Sequence, residues 1–157
     1  PMLIEAIQVI GSLQLRNQAT IGGNVCNASP SADSAPALIA AGATATYFED
    51  GVGERTIPIG ELFVGPGVSM LGGSDILLQI EVPGATDIIG GSFERLTPRS
   101  AMDIAIVSSA CQLTLGGTGM RIQDVAIVLG AVAPTPIRAQ RAEEILRGHE
   151  PTAELME

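Results

Sequence analysis

The segment from Thr20 to Asp33 reads TIGGNVCNASPSAD and is the most informative stretch of the sequence. It is rich in Gly, Asn, Ser and Pro, which favour turns, and it therefore predicts a loop. Adjacent glycines lack a Cβ, so the backbone N–H groups of Gly22 and Gly23 can converge on one anion in conformations that other residues resist. Side-chain hydroxyl and amide donors on the same loop come from Thr20, Asn24 and Ser29. The segment therefore predicts a phosphate-binding loop.

Two interpretations of the end of this loop stay open. Pro36 is tolerated only in the first turn of a helix, which places the helix start near Asp33. The first N–H groups of that helix would point toward the loop and favour an anion there. Asp33 would then accept hydrogen bonds from ribose hydroxyls, or it would simply cap the helix. A double glycine alone is more typical of a tight turn followed by such a cap.

Length and composition limit the classes of protein that this sequence can represent. With 157 residues, 46% hydrophobic and 16% charged, the chain fits one globular domain or two small lobes that share a core. The formal net charge is -9 and all eight basic residues are arginines, which argues against a partner such as a nucleic acid. The acidic charge is typical of a protein that self-repulsion keeps in solution.

The few cysteines, the single histidine and the short apolar runs argue against metal-binding, disulfide-rich and membrane-spanning proteins. Cys26, Cys111 and His149 are too few for a metal site or a disulfide scaffold, and they fit a reducing, cytoplasmic compartment. The longest apolar runs, Ile104–Ala110 and Val125–Ala133, are far shorter than the roughly 20 residues of a membrane span. No signal-like segment begins the chain. No capping residue precedes the first helix, and Thr152 could cap only a last helix of barely one turn, which predicts that both ends are cut from a longer chain.

The order of predicted elements indicates an α+β chain with mostly antiparallel strands. Helices are predicted from helical spacing and end signals at Met2–Ile10, Ala35–Ala41 and Ala139–Leu146, with Gly42 and Gly148 as stops. Strands are predicted from alternation and β-branched content at Ala43–Phe48, Arg55–Ile59, Ile76–Val82, Gly91–Leu96 and Met120–Val132. Gly11–Gln18 is predicted to be a polar connection.

Three finer expectations follow from the same patterns. Ile104–Leu115 fits both helical and strand periods, and its β-branched content together with a predicted turn at 116–119 favours a strand. Tyr47 and Phe48 lie in the middle of a strand and are both predicted to pack. The change of pattern across Gly84–Gly91 predicts a boundary between two units, residues 1–88 and residues 89–157.

Short motifs spread over the whole chain resemble one known family. They are RNQATIGGN at 16–24, NASP at 27–30, AD at 32–33, FVGP at 63–66, DILLQIEVP at 75–83, FERLTPR at 93–99, MDIA at 102–105, LGAVAPTPIR at 129–138 and AE at 142–143. In this order they resemble the FAD-binding (medium) subunits of molybdenum hydroxylases, a family that includes xanthine dehydrogenases and aerobic carbon monoxide dehydrogenases. The resemblance implies the second lobe of a PCMH-type FAD-binding domain, then a small antiparallel sheet-plus-helix C-terminal domain that is incomplete at its end.

The resemblance also implies roles for individual residues. By position, the segment from Thr20 through Ile21, Gly22 and Gly23 to Asn24 would hold the FAD pyrophosphate, with Ser29 on the same loop. Asp33 would lie on the ribose side, Leu77 against the isoalloxazine, and Arg95 at or next to a basic position near the flavin. The sequence departs from the family at two positions, since an aromatic near residues 67–69 is absent and Ile10 replaces one found in some relatives.

The function that the resemblance implies is electron transfer. Electrons would leave a molybdenum centre, pass through iron–sulfur clusters and reduce FAD, with molybdopterin on a large partner subunit and 2Fe-2S clusters on a small one. This chain would carry no catalytic side chain and no metal. Because the family's first FAD lobe has no counterpart here, we expect the chain alone to bind FAD weakly and to self-associate. The alternatives are a docking module of the same fold without flavin, and a stand-alone flavin oxidase, for which no covalent-link His or Cys is placed.

Overall fold

A computed structural model describes residues 1–84, 88–99, 103–116 and 120–156. The helices are α1 (Met2–Gln8), α2 (Leu13–Arg16), α3 (Ile21–Cys26), α4 (Ser34–Ala40), α5 (Gln140–Leu146) and α6 (Ala153–Met156), with a 3-10 turn at Ile59–Leu62. The strands are β1 (Thr44–Glu49), β2 (Gly53–Pro58), β3 (Phe63–Gly65), β4 (Val68–Ser69), β5 (Ile76–Glu81), β6 (Ile88–Leu96), β7 (Val107–Gly116), β8 (Arg121–Gly130) and β9 (Ile137–Arg138). The α+β class with antiparallel sheets is confirmed.

The first sheet has the strand order β2-β1-β5, and both pairings are antiparallel. The strands predicted at Ala43–Phe48 and Arg55–Ile59 form a hairpin, and Gly51 in its turn adopts a φ of 75°, a conformation that glycine accepts without strain. Along β1, Tyr47 is buried whereas Phe48 is 42% exposed. The prediction that both aromatics pack was wrong for Phe48, because consecutive side chains of a strand point to opposite faces.

The second sheet has the order β6-β7-β8-β9, again antiparallel throughout. Strand β7 resolves most of the ambiguous stretch 104–115 as a strand, from Val107 onward, and it pairs with neighbours on both edges. The predicted turn at 116–119 lies, from residue 117 onward, outside the described residues. Helix α5 packs against β8, and Glu143 of α5 is buried there as it accepts a hydrogen bond from the Ile127 N–H of that strand at 2.9 Å.

Helix α4 is the central element of the core. Its Leu38 packs with Val25, Ala45 and Leu62 on the side of the first sheet. Its small residues Ala37 and Ala40 face the second sheet, in a cluster that includes Phe93, Ala110 and Val128. A helix that is apolar all round must be buried on all sides, and its alanines allow close approach of both neighbours. Helix α1 joins the second cluster through Met2 and Ala6.

The structure corrects two predictions on the N-terminal side. The stretch 20–33 is not a continuous loop, because its first part forms helix α3, and the polar connection 11–18 contains the short helix α2. Each helix begins at a hydroxyl residue that caps it, Thr20 for α3 and Ser12 for α2. A well-formed cap therefore outweighed the low helix propensity of two glycines. The boundary between two units near residue 88 stays a prediction. Helices α1 and α4, which precede this residue, pack against the second sheet, which follows it.

Candidate functional site

The candidate anion-binding segment begins helix α3. The Thr20 side-chain oxygen accepts a hydrogen bond from the Gly23 N–H at 3.0 Å, which fixes the first turn. Neither Gly22 nor Gly23 has a positive φ, so the idea that both glycines adopt conformations closed to other residues was wrong. The first turn of a helix already directs its N–H groups outward, and it needs no unusual backbone for that. Thr20 and Gly23 are both exposed.

A cleft of about 510 Å³ lies along this first turn and is called the α3 cleft below. Its lining residues are Ile7, Ile10, Arg16, Gln18, Ala19, Thr20, Ile21, Gly23, Asn24 and Asn27. The lining contains one cation, Arg16, and no acidic side chain, although the whole chain carries a net charge of -9. Arg16 is held in the cleft wall because its guanidinium donates to the Ile10 carbonyl at 2.7 Å and to the Gly11 carbonyl at 3.3 Å.

Asn24 has its side-chain amide oriented by a neighbour that sequence reasoning did not identify. The Ser34 hydroxyl donates to Asn24 Oδ1 at 2.5 Å, and Ser34 is completely buried at the start of α4. The oxygen end of the amide is thereby committed to the interior, which leaves the NH2 end as the donor toward the α3 cleft. No sequence signal indicates this bond, because the two residues are ten positions apart and belong to different helices.

A second cleft, of about 330 Å³, lies on the other side of the α3 start and is called the Leu77 cleft below. It is lined by Leu3, Ile21, Gly22, Leu38, Leu77, Leu78, Gln79, Ile80 and Val82, none of them charged. A Cβ on Gly22 would lie 3.5 Å from Leu77 Cδ2, so the helix passes directly beside the side chain of β5. Ile21 lines both clefts. The structure thus brings Thr20–Asn24 and Leu77 together, as the family resemblance implies.

Asp33 and Arg95 form a separate, buried ion pair. The Arg95 guanidinium lies 2.8 Å from Asp33 Oδ2, and their side chains are only 11% and 8% exposed. Burial raises the pKa of Asp33, while the Arg95 charge and hydrogen bond lower it by less. Asp33 Oδ1 is buried without a hydrogen-bond partner among the described residues. Asp33 makes no side-chain bond to the start of α4, so the simple capping interpretation was wrong.

Ser29, the remaining predicted site residue, does not line either cleft, and neither does the ion pair of Arg99 and Asp103. The Ser29 hydroxyl is 3.2 Å from the Ser31 hydroxyl, and neither residue lines the α3 cleft. Asp103 accepts hydrogen bonds from the Arg99 and Ile104 N–H groups at 2.9 and 3.0 Å, and the Arg99 side-chain bond is the largest of the effects that hold its pKa below the ordinary value. Within the described ranges, no three His, Cys, Asp or Glu residues are placed to hold a metal ion, and no helix there is long and apolar enough to cross a membrane.

Comparison with known families defines the class of protein to which this fold and site belong. Residues 1–85 match the family model described as the FAD binding domain in molybdopterin dehydrogenase, and residues 93–157 match the CO dehydrogenase flavoprotein C-terminal domain. The first match covers more than half of the chain. The chain therefore belongs to the family of FAD-binding domains of molybdopterin dehydrogenases, and the resemblance stated from its motifs is confirmed.

Individual relatives agree with this assignment. The chain is 36% identical over 148 residues to the xanthine dehydrogenase FAD-binding subunit of Escherichia coli O157:H7, covering 92% of this chain and 49% of that protein. It is 31% identical over 157 residues to the carbon monoxide dehydrogenase medium chain of Hydrogenophaga pseudoflava, covering 100% of this chain and 53% of the relative. The chain thus spans about half the length of these relatives.

Solved structures show the same fold. The carbon monoxide dehydrogenase from Hydrogenophaga pseudoflava that lacks the Mo-pyranopterin moiety of its cofactor superposes with a TM-score of 0.89 at 31% identity, over 99% of this chain and 53% of its own. Quinoline 2-oxidoreductase from Pseudomonas putida 86 gives a TM-score of 0.81 at 26% identity, over 96% of this chain and 50% of its own.

Proposed function

We propose that this chain binds the pyrophosphate and flavin portions of FAD at the start of helix α3, as part of a molybdenum-hydroxylase-type dehydrogenase. The observation that carries this proposal is the position of Thr20–Asn24 between two clefts of different chemistry. One cleft offers hydrogen-bond donors, an arginine and no acid, whereas the other is lined by uncharged, mainly aliphatic side chains. FAD has the same division between a doubly charged pyrophosphate and an apolar ring system.

The residues of the α3 cleft suit an anionic group. The donors are the N–H groups of Ile21 and Gly22, the Thr20 hydroxyl and the Asn24 NH2, whereas the Gly23 N–H is already bonded to Thr20. The positive end of a helix also favours negative charge. Arg16 adds a full positive charge in the same wall. In a chain of net charge -9, an acid in this lining would repel a phosphate, so the absence of acids from the residues that line the cleft supports the proposal.

The Leu77 cleft suits an apolar ring. Leu77, Leu78 and Ile80 of β5 supply aliphatic surface, and Gly22 lets that surface approach the helix start without an intervening side chain. Contact with aliphatic side chains removes the ring from water, which stabilises the bound state by about 25 cal/mol for each Å² buried. Bound FAD supplies the electron-carrying chemistry, and the protein holds it and sets its orientation.

The proposed roles of Ser29, Asp33 and Arg95 rest on the family resemblance. A ribose hydroxyl could reach the Asp33 carboxylate only after that side chain turns outward, because Oδ2 is bonded to Arg95 and Oδ1 is enclosed. Arg95 likewise has its charge committed to Asp33. None of these three residues lines either cleft, whereas residues of Thr20–Asn24 and Leu77 do.

The wider function is proposed for the complete dehydrogenase that would contain this chain. Electrons would pass from molybdenum through 2Fe-2S clusters to FAD and on to an acceptor, in the cytoplasm. The partners would be a molybdopterin-binding large subunit and an iron–sulfur small subunit. The alternative is a docking module of the same fold that holds partner subunits and binds no flavin.

Titration of the chain with FAD tests the proposal and separates it from the alternative. We expect chemical-shift changes of the Thr20–Asn24 amides in ¹H–¹⁵N spectra as FAD is added, with weak affinity. Losing the several charge-assisted hydrogen bonds of the family's first lobe, at about 1.5–3 kcal/mol each, would weaken binding by roughly thousands-fold. Stoichiometric FAD that survives gel filtration would contradict the expected weakness. Spectra that do not change even at millimolar FAD would favour the docking module.

A further inference from the structure

Ser34 is a buried polar residue that lies outside the candidate site but contacts one of its residues, Asn24. It is the first residue of α4, it is 0% exposed, and it does not line either cleft. Its hydroxyl donates to Asn24 Oδ1 at 2.5 Å and so connects α4 to α3 across ten residues. No other side-chain hydrogen bond of Ser34 occurs among the described residues.

Folding alone gives little reason for a hydroxyl at this position. A buried hydroxyl is destabilising unless it is hydrogen-bonded, and alanine is a better helix former. The other buried residues of α4 are all apolar, and three of them are alanines, Ala35, Ala37 and Ala40. The specific effect of the hydroxyl is therefore on Asn24, whose amide has an acceptor at one end and two donors at the other.

Fixing the acceptor end of this amide determines what the α3 cleft presents to a ligand. With Oδ1 held by Ser34, the NH2 end is left for the cleft that Asn24 lines together with Thr20 and Gly23. Without that bond the amide can rotate about its last torsion and present its oxygen, which repels a phosphate oxygen. An oriented donor also loses less entropy on binding than a mobile one.

We propose that Ser34 is a positioning residue that holds the Asn24 amide with its donors toward the phosphate-binding cleft. This role rests on the proposed function, because it assumes an anionic ligand at the start of α3. It predicts that the hydroxyl of Ser34 affects the affinity for phosphate-bearing ligands and leaves the affinity for ligands without phosphate unchanged. A merely structural hydroxyl would affect both classes of ligand equally.

The test uses the whole chain and two probes, ADP, which carries a pyrophosphate, and riboflavin, which carries no phosphate. Ser34→Ala and the nearly isosteric Ser34→Cys remove the strong donor, and Ser108→Ala is the matched control because Ser108 is a second buried serine, 2% exposed and outside both clefts. We expect both Ser34 variants to weaken ADP binding about five- to tenfold, with riboflavin unchanged. Asn24→Asp, which keeps the acceptor for Ser34 but removes the donors, should lose ADP binding while it stays folded.

A ligand-free measurement makes the positioning role testable by itself. ¹⁵N relaxation of the Asn24 side-chain amide should show an ordered group in the wild type and in Ser108→Ala, and a mobile one in both Ser34 variants. An amide that is equally ordered with and without the Ser34 hydroxyl overturns the positioning role. A wild-type chain that binds neither ADP nor FAD, with the amide ordered by Ser34, instead overturns the phosphate ligand and the proposed function with it.

Discussion

Gly23 occupies a position where even one carbon atom would disturb the candidate site. A Cβ built on it would lie 3.1 Å from the Thr20 side-chain oxygen, which is closer than most such contacts. That oxygen is also the acceptor for the Gly23 N–H, so a side chain here displaces the cap of α3 and enters the α3 cleft. The backbone itself accepts other residues, because the φ of Gly23 is not positive.

We therefore expect Gly23→Val to weaken FAD binding at least about tenfold, a change of about 1.4 kcal/mol, while the chain stays folded. Gly23→Ala should weaken binding less and leave the unfolding free energy nearly unchanged. Alanine has a more favourable helix propensity than glycine by about 0.5–1 kcal/mol, and this gain offsets the stability lost through the disturbed Thr20 cap. Gly73→Ala is the control, because a Cβ at Gly73 meets nothing within 4 Å. Equal FAD affinity in Gly23→Val and wild type, measured by equilibrium dialysis, would reduce the double glycine to an ordinary helix start.

The Asp33–Arg95 pair gives the chain a pH dependence with a definite sign. Burial raises the pKa of Asp33 above its ordinary value of 3.8 in spite of Arg95. The folded state then binds the proton more tightly than the unfolded state does. The contribution of Asp33 to stability is therefore complete below about pH 3.8 and is lost as the pH rises through the folded-state pKa.

Urea unfolding of wild type and Asp33→Asn across a series of pH values checks this sign. The amide of the variant does not titrate, so the stability of wild type relative to the variant should fall as the pH rises from about 4. Arg95→Met removes the two effects that lower the Asp33 pKa. In this variant the fall in stability with rising pH should therefore extend to higher pH. Near neutral pH we expect Arg95→Met to cost about 3–5 kcal/mol, because it leaves a buried charge unpaired. If the stability of wild type relative to Asp33→Asn rises with pH instead, the effect of Arg95 on the Asp33 pKa is larger than the effect of burial.

At the scale of elements, α4 and the second sheet meet where Gly130 of β8 lies against the helix. A Cβ on Gly130 would lie 2.7 Å from Pro36 Cγ and 2.5 Å from Ser108 Oγ. Both distances imply overlap, and a buried proline ring on a packed helix has little freedom to move. The absence of a side chain at Gly130 thus allows α4 to pack closely against this sheet.

Gly130→Ala should accordingly lower the unfolding free energy by about 1–3 kcal/mol, as is usual for overpacking of a core. The matched control is Gly90→Ala on strand β6 of the same sheet, where a Cβ meets nothing within 4 Å. That variant should be neutral or slightly stabilising, since alanine restricts the unfolded chain more than glycine. Denaturant unfolding of both variants measures the difference, and equal midpoints would mean that the helix and sheet are not packed closely at Gly130.

Elements with local signals could be predicted from the sequence. The hairpin at Asp50-Gly51 and the paired strands after residue 88 follow from alternation and turn residues, and α4 follows from Pro36 and Gly42. Helix α3 was not predicted, because its glycines disfavour helices and only the Thr20 cap identifies its start. The partners of Asn24 and Asp33 could not be predicted either, since Ser34 and Arg95 approach them through tertiary packing.

The candidate site itself was predicted on a partly wrong physical basis. Thr20–Asn24 and Leu77 do lie together, as the family motifs imply. The expected reason was an unusual glycine backbone, whereas the structure presents the N–H groups from the first turn of a helix. The glycines serve by leaving space, for Leu77 at Gly22 and for the Thr20 cap at Gly23. Motifs can thus identify residues that lie together in the fold even when the local conformation of those residues is predicted incorrectly.

At the scale of the whole molecule, large apolar side chains remain exposed on the chain taken alone. Strand β5 pairs with β1 and with no other described strand, and its Ile76 and Leu78 are 61% and 50% exposed. Ile104 and Ile106, at the approach to β7, are 72% and 57% exposed. A one-sided strand with apolar side chains is a template for pairing with another chain, and it is normally blocked by charge or covered.

We therefore expect the chain alone to self-associate, and the charge of -9 to set how salt affects it. Repulsion between like-charged copies is screened beyond about 10 Å at ordinary ionic strength, so added salt should increase the average mass. Ile76→Lys should reduce association by placing a charge on the β5 edge. Val52→Lys adds the same charge at a residue of similar exposure, 63%, in the β1–β2 turn, and should have less effect. Light scattering over a range of concentrations measures the mass. A monomeric mass up to about millimolar protein would show that the β5 edge does not pair between copies. Stable interfaces bury about 1,200 Å² or more, and the edge would then bury less than this.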